Sequence, residues 1–224
     1  MTELQTRKRS LRSVLIFGAG FISGILVLIA VAVALYYYTT AKISSSDYEA
    51  ASPLAGKFYD IDVARTLDKA EGELNAAKDE YHRWIALGDL AVFSIDVGKL
   101  TEARRYATEL LQLAPKYSKD WNYGNAMHKG HIAIGRVELR NNNLSGAAEE
   151  LIEAGKTPGS PQLDSFGPNM ILAKELLEKG DRESVIKYLD LCEKFWKMHG
   201  GLLKKWKEVI RAGRIPDFGA NLLY

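Results

Sequence analysis

Gly98-Lys99-Leu100-Thr101-Glu102-Ala103, Asn142-Asn143-Leu144-Ser145-Gly146-Ala147 and Gly180-Asp181-Arg182-Glu183-Ser184-Val185 are three short stretches of one 224-residue chain. Each begins with Gly or Asn, residues that tolerate turn geometry. Two places later stands an anchor (Leu100, Leu144, Arg182), and three places after that a small or β-branched apolar residue (Ala103, Ala147, Val185). Each stretch follows one helical pattern and opens another. The chain therefore reads as all-α, built from a repeated helix-turn-helix unit.

The pattern extends beyond the turns. In the first unit Trp84, Leu87, Leu90, Ala91, Gly98, Leu100, Ala103 and Pro115 fall at or near the signature positions of a known helix-turn-helix repeat. In the second, Ile134, Gly135, Leu144, Ala147 and Ala154 do so; in the third, Leu172, Ala173, Gly180, Val185 and Cys192. This arrangement resembles the tetratricopeptide (TPR) repeat, a helix-turn-helix unit of about 34 residues. The resemblance covers residues 84–199 and implies an α-solenoid of about three helix pairs. It implies that a small residue late in the first helix (Ala91, Gly135, Ala173) lets the second helix cross closely, against Ala103 or Ala147. Thr101 and Ser145 share one repeat position and are expected to cap their helices. The turns lie 44 and then 38 residues apart, so the linking segments are longer than the family's. One is Tyr117–Asn125; the other, Thr157–Asn169, contains Pro158, Pro161 and Pro168.

Upstream of the repeats, residues 13–41 carry no charge, and Arg7, Lys8, Arg9 and Arg12 stand directly before them. About 20 apolar helical residues cross a bilayer core, and Val14–Tyr38 exceeds that, ending in Tyr36, Tyr37 and Tyr38 at the place of an interfacial aromatic belt. Residues 1–12 are thus expected to be a cytoplasmic basic stub and 13–41 a transmembrane helix. The rest should face the other side, which makes this a single-pass protein of the inner (plasma) membrane with a periplasmic or extracytoplasmic domain. A cleavable secretory signal is the competing reading, with a small-x-small site at Thr39 and Ala41, but its apolar stretch would be shorter. Within the span, Gly20 and Gly24 are spaced for close packing of two membrane helices. An anchor joined to such repeats resembles certain bacterial envelope proteins, some of them accessory factors at the protein-export channel.

Residues 42–59, rich in Ser with Pro53 and Gly56, read as a polar linker. Val63, Leu67, Ala70, Leu74, Ala77, Tyr81 and Trp84 then recur at steps of four and three, which predicts a leading amphipathic helix over 60–83. Residues 200–224 read as a capping helix and tail, with Leu203, Trp206 and Ile210 on one face and Lys204, Lys205, Lys207 and Arg211 elsewhere. A terminal repeat needs a cap with one polar side; anionic lipid headgroups are the alternative use of those lysines.

Charge and motifs exclude much. Of 30 basic residues four precede Lys42, and of 28 acidic ones only Glu3 does, leaving 26 against 27. No basic surface for nucleic acid is visible. Cys192 is the only cysteine, which rules out an internal disulfide and suits a buried apolar position. Gly155-Lys156-Thr157 lacks the upstream glycine of a phosphate-binding loop and is followed by Pro158 rather than a helix. Asp217-Phe218-Gly219 matches a kinase tripeptide without its companion motifs. His128 and His131 are three apart, but His82 and His199 are distant, and zinc needs three or four ligands. No metal, cofactor or catalytic site is expected.

The functional expectation is partner binding. The resemblance implies a concave surface lined by the first helix of each pair, which places Lys129, Ile132, Arg136, Met170, Lys174 and Leu177 there. Such a groove would suit a protein or peptide segment with an acidic or carboxylate end on the non-cytoplasmic side. Asn125 and Asn169 would add amide hydrogen bonds. The loop around Ser160–Asn169 is the alternative binding surface. A self-associating structural component, driven by the anchor and the helix over 63–84, is the alternative function; an enzyme with an unrecognised site is the third.

Overall fold

The three quoted stretches fold alike. Gly98 (φ 79°), Asn142 (φ 60°) and Gly180 (φ 91°) all take the left-handed conformation. In each, the next N–H reaches back five residues along the chain: Lys99 to Ser94 O at 2.8 Å, Asn143 to Glu138 O at 2.9 Å, Asp181 to Leu176 O at 3.0 Å. This is the Schellman termination, which satisfies the last carbonyls of a helix and turns the chain at once. The structure, a computed structural model, describes residues 67–222. The stub 1–12, the span 13–41 with Gly20 and Gly24, and the linker 42–59 lie outside the described residues.

Among the described residues every regular element is helical. From Glu80 onward the α-helices are α1 (Glu80–Asp96), α2 (Leu100–Leu113), α3 (Tyr123–Arg140), α4 (Leu144–Gly155), α5 (Pro161–Phe166), α6 (Ile171–Glu178), α7 (Arg182–Cys192) and α8 (Leu202–Arg211). The three turns join α1 to α2, α3 to α4 and α6 to α7. Each hairpin packs on the next: α3 lies against both α1 and α2, and α4 against both α6 and α7. No helix among the described residues is long and apolar enough to cross a membrane.

The turns also set where the second helices start. Asn143 caps α4, its Oδ1 accepting the Gly146 N–H at 3.1 Å, and Asp181 caps α7, accepting from Ser184 N–H at 3.0 Å. The cap of α2, Lys99, offers no side-chain bond. Thr101 and Ser145 therefore do not cap their helices, contrary to expectation; each stands one residue inside, because the left-handed residue brings the helix start forward.

Residues 60–83 do not form one helix. Residues 67–75 are helical, the chain then turns, and α1 begins afresh at Glu80. Asp79 causes the restart: its backbone is extended and its Oδ1 accepts the His82 N–H at 2.9 Å. The apolar period survives the break because both sides pack on one core. Leu67 and Ala70 are buried with Trp84, Leu87 and Leu90, and Tyr117 stacks on Trp84 at 4.6 Å.

That core, built on α1 and α2, meets a second built on α4, α6, α7 and α8. Helix α3 serves both, giving Ala126, Ala133 and Val137 to the first and Ile132 and Leu139 to the second. Close crossings depend on small residues: Ala91, Ala103, Ala147 and Ala173 are wholly buried. A Cβ on Gly135 would lie 2.4 Å from Leu172 Cδ2 and 3.3 Å from the Ala147 carbonyl. Helix α8 closes the far end with Leu203, Trp206 and Ile210 buried, and Phe218 folds back edge-on to Trp206 at 4.9 Å.

Overpacking tests the crossings. Ala103→Leu and Ala147→Leu are each expected to destabilise by about 1–3 kcal/mol in denaturant melts. Unchanged melts for both would place the crossings elsewhere.

Candidate functional site

The segment between the second and third hairpins builds the site. Ser160 and Pro161 start α5: the serine Oγ accepts the Leu163 N–H at 3.0 Å, and the proline takes the first helical position, where its missing N–H costs nothing. Thr157 Oγ donates to the Gly124 carbonyl at 2.7 Å and Ser160 Oγ to Asn125 Oδ1 at 2.6 Å. Asn125 Nδ2 donates to Gln162 Oε1 at 3.0 Å. The approach requires glycine at 124, since a Cβ there would sit 1.8 Å from the Gly159 oxygen. On its other side, Asn221 Nδ2 donates to the carbonyls of Phe166 (3.1 Å) and Pro168 (2.9 Å). The insert is thus clasped between the start of α3 and the C-terminal segment.

So held, α5 closes one end of a cleft of about 270 Å³ between α1 and α3. Val92, Phe93, Ile132 and Leu163 supply apolar wall; Asn125, Gln162 and Asn169 supply amides; Asp89 and Lys129 face each other across the mouth. The Lys129 ammonium donates to Asp89 Oδ1 at 2.5 Å. His128, also lining the cleft, is buried and shares a 2.8 Å hydrogen bond with the Tyr188 hydroxyl. Burial, with Lys129 and His131 nearby, pushes its pKa down to about 3, so it is neutral at physiological pH.

Of the residues expected to bind, Asn125, Lys129, Ile132 and Asn169 line this cleft. The others do not. Met170 and Leu177 are core residues, 0 % and 4 % exposed, because α6 turns that face inward onto α4 and α7. Arg136 is buried between Asp96 of α1 (2.8 Å) and Glu175 of α6 (3.3 Å), and Arg140 joins Glu175 at 2.7 Å. Lys174 pairs with Glu178 one turn along its own helix. Lys129, Arg136 and Lys174, expected to present a cationic groove to a carboxylate, each face a carboxylate of this chain. The amides of Asn125 and the Asn169 Oδ1, which accepts the Ile171 N–H at 2.8 Å, hold loop and helix in place.

Sequence reading missed Asp89, Val92 and Phe93 on α1, and Gln162 and Leu163 on α5. A signal existed for the first: Asp89 and Lys129, like Asp96 and Arg136, are opposite charges 40 residues apart, close to the repeat distance. His131 and His128 point to different partners, His131 Nδ1 lying 2.7 Å from Glu150. Among the described residues no three His, Cys, Asp or Glu side chains converge to hold a metal. Cys192 is buried, and burial drives its thiol pKa well up, which leaves it unreactive. No protein-family model, curated protein or solved structure matches the chain.

Two measurements probe this geometry. Arg136→Met leaves Asp96 and Glu175, 11 % and 16 % exposed, without their shared cation, and should cost about 3–5 kcal/mol in denaturant melts. Lys129→Met, at a half-exposed pair, should cost less than about 1 kcal/mol. Equal costs would mean that Arg136 is not the buried tie. Between pH 6.5 and 3 the unfolded His128 holds a proton that the folded one does not, so stability falls as pH falls. From pH 7 to 5 the loss should be about 2 kcal/mol, and His128→Gln should remove that share of it. An unchanged pH slope in the variant would place the titrating group elsewhere.

Proposed function

We propose that this chain is a membrane-tethered, TPR-like module whose cleft between α1, α3 and α5 takes an apolar side chain of a protein segment on the non-cytoplasmic side. The cleft itself carries the reading: two successive first helices wall it, α5 stops it at one end, and its lining joins apolar surface to a few fixed amides. Small, mostly apolar concavities with convergent polar groups are the usual form of a binding site. The TPR-like assignment is supported by one turn built three times with the same hydrogen bonds and by wholly buried alanines at the crossings. The tether rests on the uncharged span 13–41 behind its basic flank.

Because Lys129 and Asp89 neutralise each other at the mouth, recognition is steric and apolar rather than carboxylate-directed. The partner's main chain would pass between the Gln162 amide and the Lys129–Asp89 pair, with one side chain seated against Val92 and Phe93. An adaptor role at an export or envelope-assembly complex is this reading with a particular client. An enzyme with an unrecognised site is the third reading; the cleft's buried histidine is hydrogen-bonded to Tyr188.

Photo-cross-linking in cells tests the proposal on the full-length chain. A photoreactive residue at Val92 or at Gln162 should give a discrete heterologous adduct, and one at Glu102, exposed on α2, should not. Val92→Arg should abolish the adduct at position 162 while changing stability by less than about 0.5 kcal/mol. Equal labelling at position 102, or an adduct made only of a second copy of this chain, would contradict it; the latter outcome would favour the self-associating structural role.

A further inference from the structure

Residues 194–207, Lys-Phe-Trp-Lys-Met-His-Gly-Gly-Leu-Leu-Lys-Lys-Trp-Lys, hold five lysines and neither Asp nor Glu. Of the five, only Lys207 enters an ion pair among the described residues, joining Asp190 at 2.7 Å and Glu193 at 2.6 Å. Lys207 offsets one of the two charges of Asp190 and Glu193, and Lys194, Lys197, Lys204 and Lys205 are exposed, the Lys197 ammonium donating to the Glu193 carbonyl at 2.9 Å.

The same surface displays apolar side chains. Met198 is 68 % exposed, Leu202 38 % and Phe166 66 %. The structure holds Phe166 near Met198: the Lys197 and Met198 N–H groups donate to Asp164 Oδ1 (2.7 Å) and Asp164 O (3.3 Å), two residues before Phe166. Directly after it, Gly167 is pressed so closely on Trp196 that a Cβ would lie 2.5 Å from the ring. Trp196 and Trp206 form a rigid floor under this patch, 3 % exposed each and 5.7 Å apart.

We propose that Phe166, Met198 and Leu202, with the exposed Lys194, Lys197, Lys204 and Lys205 of the same segment, form a surface that lies against an anionic lipid bilayer. Large apolar side chains projecting from a fixed floor into the headgroup region, with lysines in the same segment, combine burial with attraction to acidic headgroups. The choice of lipid as the occupant rests on charge complementarity and on the reading of residues 13–41 as a span, which makes a bilayer a constant neighbour of this domain. The surface is distinct from the cleft, so lipid contact would orient the module rather than compete with its partner.

The test uses the full-length chain in vesicles of phosphatidylcholine, with or without phosphatidylglycerol. Met198→Cys carries an environment-sensitive fluorophore, which labels selectively because Cys192 is buried; Glu102→Cys is the control position. Flotation with phosphatidylcholine vesicles reports the anchor, and emission reports the surface, so the two readings fail separately. Blue-shifted emission at position 198, quenched by a lipid-borne quencher only when phosphatidylglycerol is present and lost in high salt, is the expected result. Lys194→Gln, Lys197→Gln, Lys204→Gln and Lys205→Gln together should abolish the shift without altering the circular dichroism spectrum. Emission identical in the two lipids would overturn the proposal. So would a shift that follows protein density rather than lipid charge, which would assign the patch to protein contact.

Discussion

One buried guanidinium joins the three hairpins. Arg136 of α3 reaches Asp96 of α1 on one side and Glu175 of α6 on the other, so the first helix of every hairpin contributes to a single charge cluster. Its side chain is 5 % exposed, and its Nε and Nη1 find no protein partner. Such a cluster adds little net stability over an apolar packing, but it penalises any arrangement that separates its members. Hydrophobic burial holds the stack together; the cluster helps decide how far one first helix is turned against the next. The cleft between α1 and α3 inherits its width from that spacing, since Asp89 and Lys129 repeat the same pairing two turns nearer the mouth.

The other end of the cleft is fixed by backbone contact rather than charge. Gly124 admits the Gly159 carbonyl, Thr157 and Ser160 bond to Gly124 and Asn125, and Asn221 clasps the insert from behind. A proline-containing connection that would otherwise be free to wander is ordered along its whole length. Preorganisation of this kind lowers the ordering cost that a partner must offset on binding. Two residues expected on the concave face, Lys129 and Ile132, and two of the insert, Gln162 and Leu163, line one cleft.

What was legible in the sequence is what local chemistry determines. Gly98, Asn142 and Gly180 announced left-handed turns because few residues tolerate that backbone, and Ala103, Ala147 and Gly135 marked crossings because few residues are small enough. The break at residues 76–79 was not legible, since the apolar period of Leu67, Ala70 and Leu74 continues into Tyr81 and Trp84 on the same core. Nor was the fate of Arg136: its partners come from helices about 40 residues away on either side, and a cation on a first helix reads the same whether it faces a ligand or a neighbour. Repeat register puts Met170 and Leu177 on the groove, yet both are buried in the core shared with α4, α7 and α8. The start of α5 is legible in Ser160-Pro161, a cap followed by a helix-opening proline.

The central claim is that the cleft selects an apolar side chain by shape. Selection of a random peptide library on the full-length protein in detergent micelles tests it most directly. Recovered peptides should share one large aliphatic or aromatic position without a common acidic end, and Val92→Arg should abolish their binding while the melt stays unchanged. Peptides enriched for acidic residues, or bound equally well by the Val92→Arg variant, would contradict the account.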